Sequence, residues 1–118
     1  MAVNAVRTVT INLTGDVISD KIYSAAQNAL SPGSITIHAL IAGANTITVP
    51  TVTGITVKGA TIIPPSGNLQ PITLKGIAGD TGIVISNTDP TSIAFETAPA
   101  SFVLNAGGTI NGLRIIWT

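Results

Sequence analysis

The stretch Pro71-Ile72-Thr73-Leu74-Lys75-Gly76-Ile77-Ala78-Gly79-Asp80-Thr81-Gly82-Ile83-Val84-Ile85-Ser86 decides how this chain reads. Apolar Ile72 and Leu74 alternate with Thr73 and Lys75, a period of two that places the first pair inward and the second outward on an extended strand. Gly79-Asp80-Thr81-Gly82 then supplies turn chemistry, with Gly82 expected at positive φ, before a second short apolar run to Ser86. Strand, turn and strand within sixteen residues is the spacing of an all-β sandwich or barrel, and no helical period competes with it.

Working outward, the same grammar repeats. Thr8 to Leu13, Val17 to Tyr23, Ser34 to Ile41, Asn45 to Val49 and Gly54 to Ile63 read as strands on the N-terminal side. Gly43-Ala44-Asn45 reads as a hairpin turn joining two of them, and Pro64-Pro65-Ser66-Gly67-Asn68 as a firm break. On the C-terminal side, Ser92 to Phe95, Ser101 to Asn105 and Thr109 to Trp117 are further strands, set off by Asn87-Thr88-Asp89-Pro90, Thr97-Ala98-Pro99 and Ala106-Gly107-Gly108. Ser24 to Leu30, with Ala25, Ala26, Gln27 and Ala29, is the one segment with helix-forming composition. The expectation is an all-β fold: one β-sandwich domain over residues 1–118, of about eight to ten short strands, with jelly-roll winding as a candidate connectivity.

Composition points to architecture rather than chemistry. The 118 residues include no Cys, one His and five carboxylates, and only 8% are charged, against about 25% in ordinary soluble domains. Five Lys and Arg balance five Asp and Glu, and a net charge of zero favours association. Much of the surface is therefore expected to be covered by copies of the chain or by a partner. Scattered cations leave no basic patch for phosphates, so nucleic acid is not an expected partner. The first residues lack an apolar core like that of a signal peptide, and no apolar run approaches the length of a membrane span, so synthesis in the cytoplasm and no membrane partner are expected.

The last strand adds a place for such contacts. Asn111, Leu113, Ile115 and Trp117 alternate with Ile110, Gly112, Arg114 and Ile116, so both faces carry Ile. A strand apolar on both sides is covered on both sides or lies in a subunit contact, which makes Ile110, Ile116 and Trp117 the candidate interface. Gly112 is expected to allow close backbone approach within this strand, and Gly108 to take positive φ in the turn before it.

Residues that could carry chemistry are few. His38 alternates with Ile35 and Ile37 and is expected on the polar face beside Thr36, with no second His or Cys to complete a zinc site and no evident partners for a nucleophilic triad. Asp16, Asp80 and Asp89 sit in turns, where Asp caps the local backbone; Asp20 and Glu96 complete the carboxylates. Calcium would need Asp80 and Asp89 brought together by the fold, because no Ca²⁺-loop spacing is present. Phe95 and Phe102 fall at apolar positions, which leaves Tyr23 and Trp117 as a thin platform for stacking on a sugar. No catalytic residue, cofactor or metal is expected.

Residues Gly43-Ala44-Asn45-Thr46-Ile47-Thr48-Val49-Pro50, then Thr61-Ile62-Ile63-Pro64-Pro65-Ser66-Gly67-Asn68, Ile72 through Ile83 and Leu113-Arg114-Ile115-Ile116-Trp117 resemble small all-β virion proteins of tailed bacteriophages. The resemblance covers the chain from about Gly43 onward and lies in its series of strands and turns. It implies a non-enzymatic β-sandwich acting in many copies in a virion, as a capsid decoration (cement) protein or a tail or fibre component, whose partners are itself and other virion proteins. It transfers no functional residue. The competing expectations are a carbohydrate-binding or adhesive module, which should expose Tyr23 or Trp117, and a hydrolase on a jelly-roll scaffold, which should show carboxylates converging in a cleft.

Overall fold

The computed structural model describes residues 5–11, 23–29, 35–51 and 56–118; for the first two stretches it describes the course of the backbone and the exposed side chain of Thr8. Ten strands account for the regular structure: β1 (Ala5–Ile11), β2 (Tyr23–Ala29), β3 (Ile35–Leu40), β4 (Gly43–Thr48), β5 (Gly59–Ile63), β6 (Ile72–Lys75), β7 (Ile83–Ile85), β8 (Thr91–Ala94), β9 (Ser101–Ala106) and β10 (Ile110–Trp117). The all-β expectation holds. Eight of the strands form two four-stranded antiparallel sheets, ordered β3-β10-β5-β8 and β4-β9-β6-β7, while β1 and β2 pair with each other.

The segment with helix-forming composition is extended. Tyr23–Ala29 is β2, antiparallel to β1 from Ala5↔Ala29 to Ile11↔Tyr23. Seven residues are too few to nucleate a helix against solvent, and a neighbouring antiparallel strand offers partners to alternate residues without that nucleation cost. The expected strand from Val17 lies outside the described residues up to Tyr23.

The pairing is nested. β6 pairs β7, β5 pairs β8, β4 pairs β9 and β3 pairs β10, each antiparallel, and successive pairs fall alternately in one sheet and the other. Consecutive strands β3 and β4 therefore belong to different sheets, and Gly43-Ala44-Asn45 is no hairpin turn. The chain crosses between sheets at Ile41 and Ala42, and Asn45 secures the crossing. Its Oδ1 accepts the Ile41 N–H at 3.0 Å, and its Nδ2 donates to the carbonyls of Ile41, Gly43 and Leu104 at 2.9, 3.0 and 3.1 Å. Further on, Asn68 does similar work. Its Nδ2 donates to the carbonyls of Gln70 and Asn87, which fastens the break after Pro65 to the loop after β7.

The core fills the space between the sheets. Leu40, Ile62, Ile110, Leu113, Ile115 and Trp117 come from one sheet, and Ile47, Ile72, Phe102, Leu104 and Ala106 from the other; Ile72 points inward as its alternation predicts, with Leu74 packed against the cluster. Phe102 and Trp117 meet across the layers with ring centroids 6.0 Å apart. Tilted aromatic pairs at that separation add about 0.5–1.5 kcal/mol beyond the area they bury.

β10 resolves its own two-faced pattern with a bulge. Its register against β3 shifts between Asn111 and Leu113. Gly112, at φ +82°, is the inserted residue. Before the bulge Ile110 faces inward opposite Leu40; after it Leu113, Ile115 and Trp117 face inward, so parity flips within one strand. Gly112 is thus a conformational requirement, not a close approach: a Cβ there would meet nothing within 4 Å. Gly108 reverses its expectation too. Its φ is not positive, and a Cβ on it would lie 2.6 Å from the Gln70 side-chain oxygen. Gly82 takes φ +77° as expected of a turn glycine.

Candidate functional site

Ladder register defines the outer face of the first sheet. Directly opposed residues share a face, so Ile35, Ile116, Thr61 and Ser92 form one row across β3, β10, β5 and β8, and Ile37, Arg114 and Ile63 form the next. A hydroxyl pair, Thr61 Oγ1 to Ser92 Oγ at 3.0 Å, marks the first row. Ile35 is 58% and Ile37 68% exposed. The polar–apolar assignment of β3 is therefore opposite to expectation: its Ile side chains face solvent and Thr36, His38 and Leu40 face inward.

Inward Thr36 and His38 have a reason. The indole N–H of Trp117 donates to Thr36 Oγ1 at 2.9 Å, and Thr36 Oγ1 lies 2.8 Å from His38 Nε2. An indole nitrogen can only donate, so the Thr36 oxygen accepts from Trp117 and its own proton goes to His38 when Nε2 is bare. Partial burial pushes the His38 pKa below its usual 6.5. Among the described residues the histidine belongs to a hydrogen-bond chain of Trp117, Thr36 and His38.

The three candidate interface residues separate. Ile110 is 2% exposed and Trp117 fully enclosed by the chain's own core, so neither has surface to offer a second copy. Ile116, half-buried, stands beside Ile35 on the outer face. What sequence reasoning missed is that β3 carries exposed apolar residues, as β7 does at Ile83 and Val84; the equal spacing of Ile35 and Ile37 was visible, but its direction goes with the hydrogen bond from Trp117 to Thr36, 81 residues away.

The carboxylates are dispersed. Asp80 Oδ2 accepts the N–H groups of Gly76 and Ile77 at 3.1 and 3.0 Å, the capping expected of it. At the Asp89 turn the work falls to Ser86 instead, whose Oγ accepts the N–H groups of Thr88 and Asp89. Glu96 is exposed; Asp16 and Asp20 lie outside the described residues, as does the side chain of Tyr23. Among the described residues no three His, Asp or Glu side chains gather as a metal would require. Phe102 is buried and Phe95 packs against the core. With Trp117 enclosed, the platform for a sugar loses one of its two candidates.

A cavity of about 500 Å³ opens at the opposite corner, between β6, β7 and β9 on one side and β8 with Phe95 on the other. No protein-family model matches the chain, and no curated protein or solved structure shows significant similarity to it.

Proposed function

We propose that the chain is a non-enzymatic structural component of a phage virion, a multi-copy capsid decoration protein or a tail or fibre module, acting through contacts between copies. The observation that carries this reading is the apolar outer face at the edge of the first sheet. Ile35 and Ile37 stand exposed on β3, next to half-buried Ile116, and among the described residues no strand pairs with the outer edge of β3. Nothing on β3 guards that edge: Ile35-Thr36-Ile37-His38-Ala39-Leu40 contains no Lys, Glu or Pro of the kind that discourages strand addition. The occupant is a second copy, because an antiparallel edge is complementary to itself about a two-fold axis and a chain of zero net charge does not repel its own kind.

Connectivity supports the same reading. The four nested pairs, wound alternately into two sheets, are read here as jelly-roll winding, an architecture that capsid and lectin domains share. The low charge and scarcity of convergent side chains fit a unit whose work is assembly.

The test is the mass of the native particle in solution. The unaltered chain should run as an oligomer at micromolar concentration, and Ile37→Lys should shift it to monomer with its melting behaviour preserved, whereas Val84→Lys, on the other sheet, should not. A monodisperse monomer for the unaltered chain overturns the self-assembly reading. Neighbouring genes that encode no virion components overturn the virion reading separately.

A further inference from the structure

The cavity at the β7–β8 corner has a shape and lining that the assembly reading does not use. Leu74, Ile93, Phe95 and Phe102 form its interior and Ile83 one flank, so its wall is almost wholly apolar. It exists because the two edge strands that should close the sandwich there are short: β7 has three residues and β8 four. Gly76 and Gly82 at the mouth add no side chains to fill it. Gly82 could carry none, since a Cβ would lie 2.6 Å from the Leu74 carbonyl oxygen and from Lys75 Cγ. Pockets that hold small ligands occupy about 300–1,000 Å³ and combine an apolar wall with few polar groups, and this one falls within that range.

The mouth carries one cation and one anion, Lys75 and Asp80, in unequal states. The Asp80 carboxylate is engaged by two backbone N–H groups of its own loop, which it closes by accepting both at 3.0–3.1 Å. Among the described residues Lys75 Nζ donates to the Ala78 carbonyl, at 3.5 Å, the outer limit of a hydrogen bond. An ammonium with weak local engagement beside an open apolar wall suits an amphiphile whose head is anionic.

We propose that this cavity binds a single-chain carboxylate amphiphile, a fatty acid, tail inward, with its head group paired to Lys75. The alkyl chain covers Leu74, Ile93 and Phe95, which the short strands leave incompletely packed, and the carboxylate gives Lys75 the charged acceptor that Ala78 does not supply. The site lies on strands other than β3, so it stands or falls apart from the assembly reading.

Laurate, kept below its micelle concentration, is the probe, with dodecyltrimethylammonium as the charge-reversed control; binding is followed by calorimetry and by methyl NMR shifts at Leu74, Ile83 and Ile93. Saturable laurate binding with shifts confined to those methyl groups is expected. Lys75→Glu, at the rim where folding is undisturbed, should weaken laurate by about tenfold or more and improve binding of the cation. Ile93→Trp, which fills the cavity, should abolish both; Ile83→Trp at the flank repeats that test should the first variant fold poorly. Absence of saturable binding overturns the proposal, as does equal affinity for the two head groups, insensitivity to Lys75→Glu, or shifts at β3 in place of the cavity methyls.

Discussion

Trp117 and Thr36, 81 residues apart in sequence, are joined by a 2.9 Å hydrogen bond from the indole nitrogen to the hydroxyl oxygen. That contact, together with buried Leu40, goes with the way β3 faces. With Thr36 turned to the core, Ile35 and Ile37 must turn to solvent, because neighbouring residues on a strand point to opposite sides.

Thr36→Val should therefore be costly although it substitutes like shape for like. It strands the indole N–H inside the protein and removes the partner of His38, and an enclosed donor left without an acceptor costs about 1–3 kcal/mol. Trp117→Phe removes donor and demand together and should cost less through hydrogen bonding, its remaining penalty coming from lost volume. Urea unfolding of both single variants and the double variant should show a coupling energy that brings the double variant well below the sum.

Stability should fall with acid in a window set by His38. Burial lowers its pKa in the folded chain below the value near 6.5 that it has when unfolded. Between those two values the unfolded chain binds more protons, so stability rises with pH there. The full contribution is present above about pH 6.5 and is lost as pH drops toward and through the lower folded value. Urea midpoints at pH 7.5 and 5.5 should differ in the unaltered chain and converge in His38→Gln.

Two glycines should respond to Ala for different causes. Gly112→Ala places a side chain at φ +82° in open space, a purely backbone strain of about 1–2 kcal/mol. Gly108→Ala collides only with the amide end of Gln70, which can swing aside. Adding Gln70→Ala should relieve the second substitution and leave the first unchanged in equilibrium unfolding.

Asn45→Ala should loosen the crossing between sheets by about 1–3 kcal/mol, since it removes one acceptor and the donor to three carbonyl oxygens. Asn45→Asp should be worse, because it keeps the acceptor for Ile41 but sets a negative charge against those carbonyls. Hydrogen exchange at the Ile41 amide is the local readout, with faster exchange expected in the Ala variant.

How far the residues alone revealed these features depended on the range of the interaction. Ile72 and Leu74 were legible because their alternation and the turn after them are local, and so was the Asp80 cap, which reaches only to Gly76 and Ile77. The direction of β3 was not. Ile35 and Ile37 offer an apolar parity as good as that of Leu40, and the choice lies with Trp117, far along the chain. Likewise Ile110 and Trp117 looked like two faces of one strand because the pattern carries no mark of a bulge except Gly112, which a close-approach reading explains equally well. Gly43-Ala44-Asn45 has the chemistry of a hairpin, yet the strands beside it pair elsewhere, a fact held by β9 and β10. Of the three residues read from β10, Ile116 stands on the outer face, beside exposed Ile35 of β3, while Ile110 and Trp117 are buried.

Nested winding also fixes an order of events. β6 and β7 are close neighbours in the chain and can join early, but β3 must wait for β10, about seventy residues later, and β10 occupies an interior position in its sheet, between β3 and β5. Until that strand arrives, β3 has no ladder partner among the described strands and β5 has one, so that sheet stays open. Closing such distant pairs is slow, in the range of milliseconds to seconds for β-rich folds. During that interval the edge of β3 that β10 will occupy, distinct from its outer edge, is open to any unpaired strand, so the rate of chain closure sets how long the fold is exposed to mispairing.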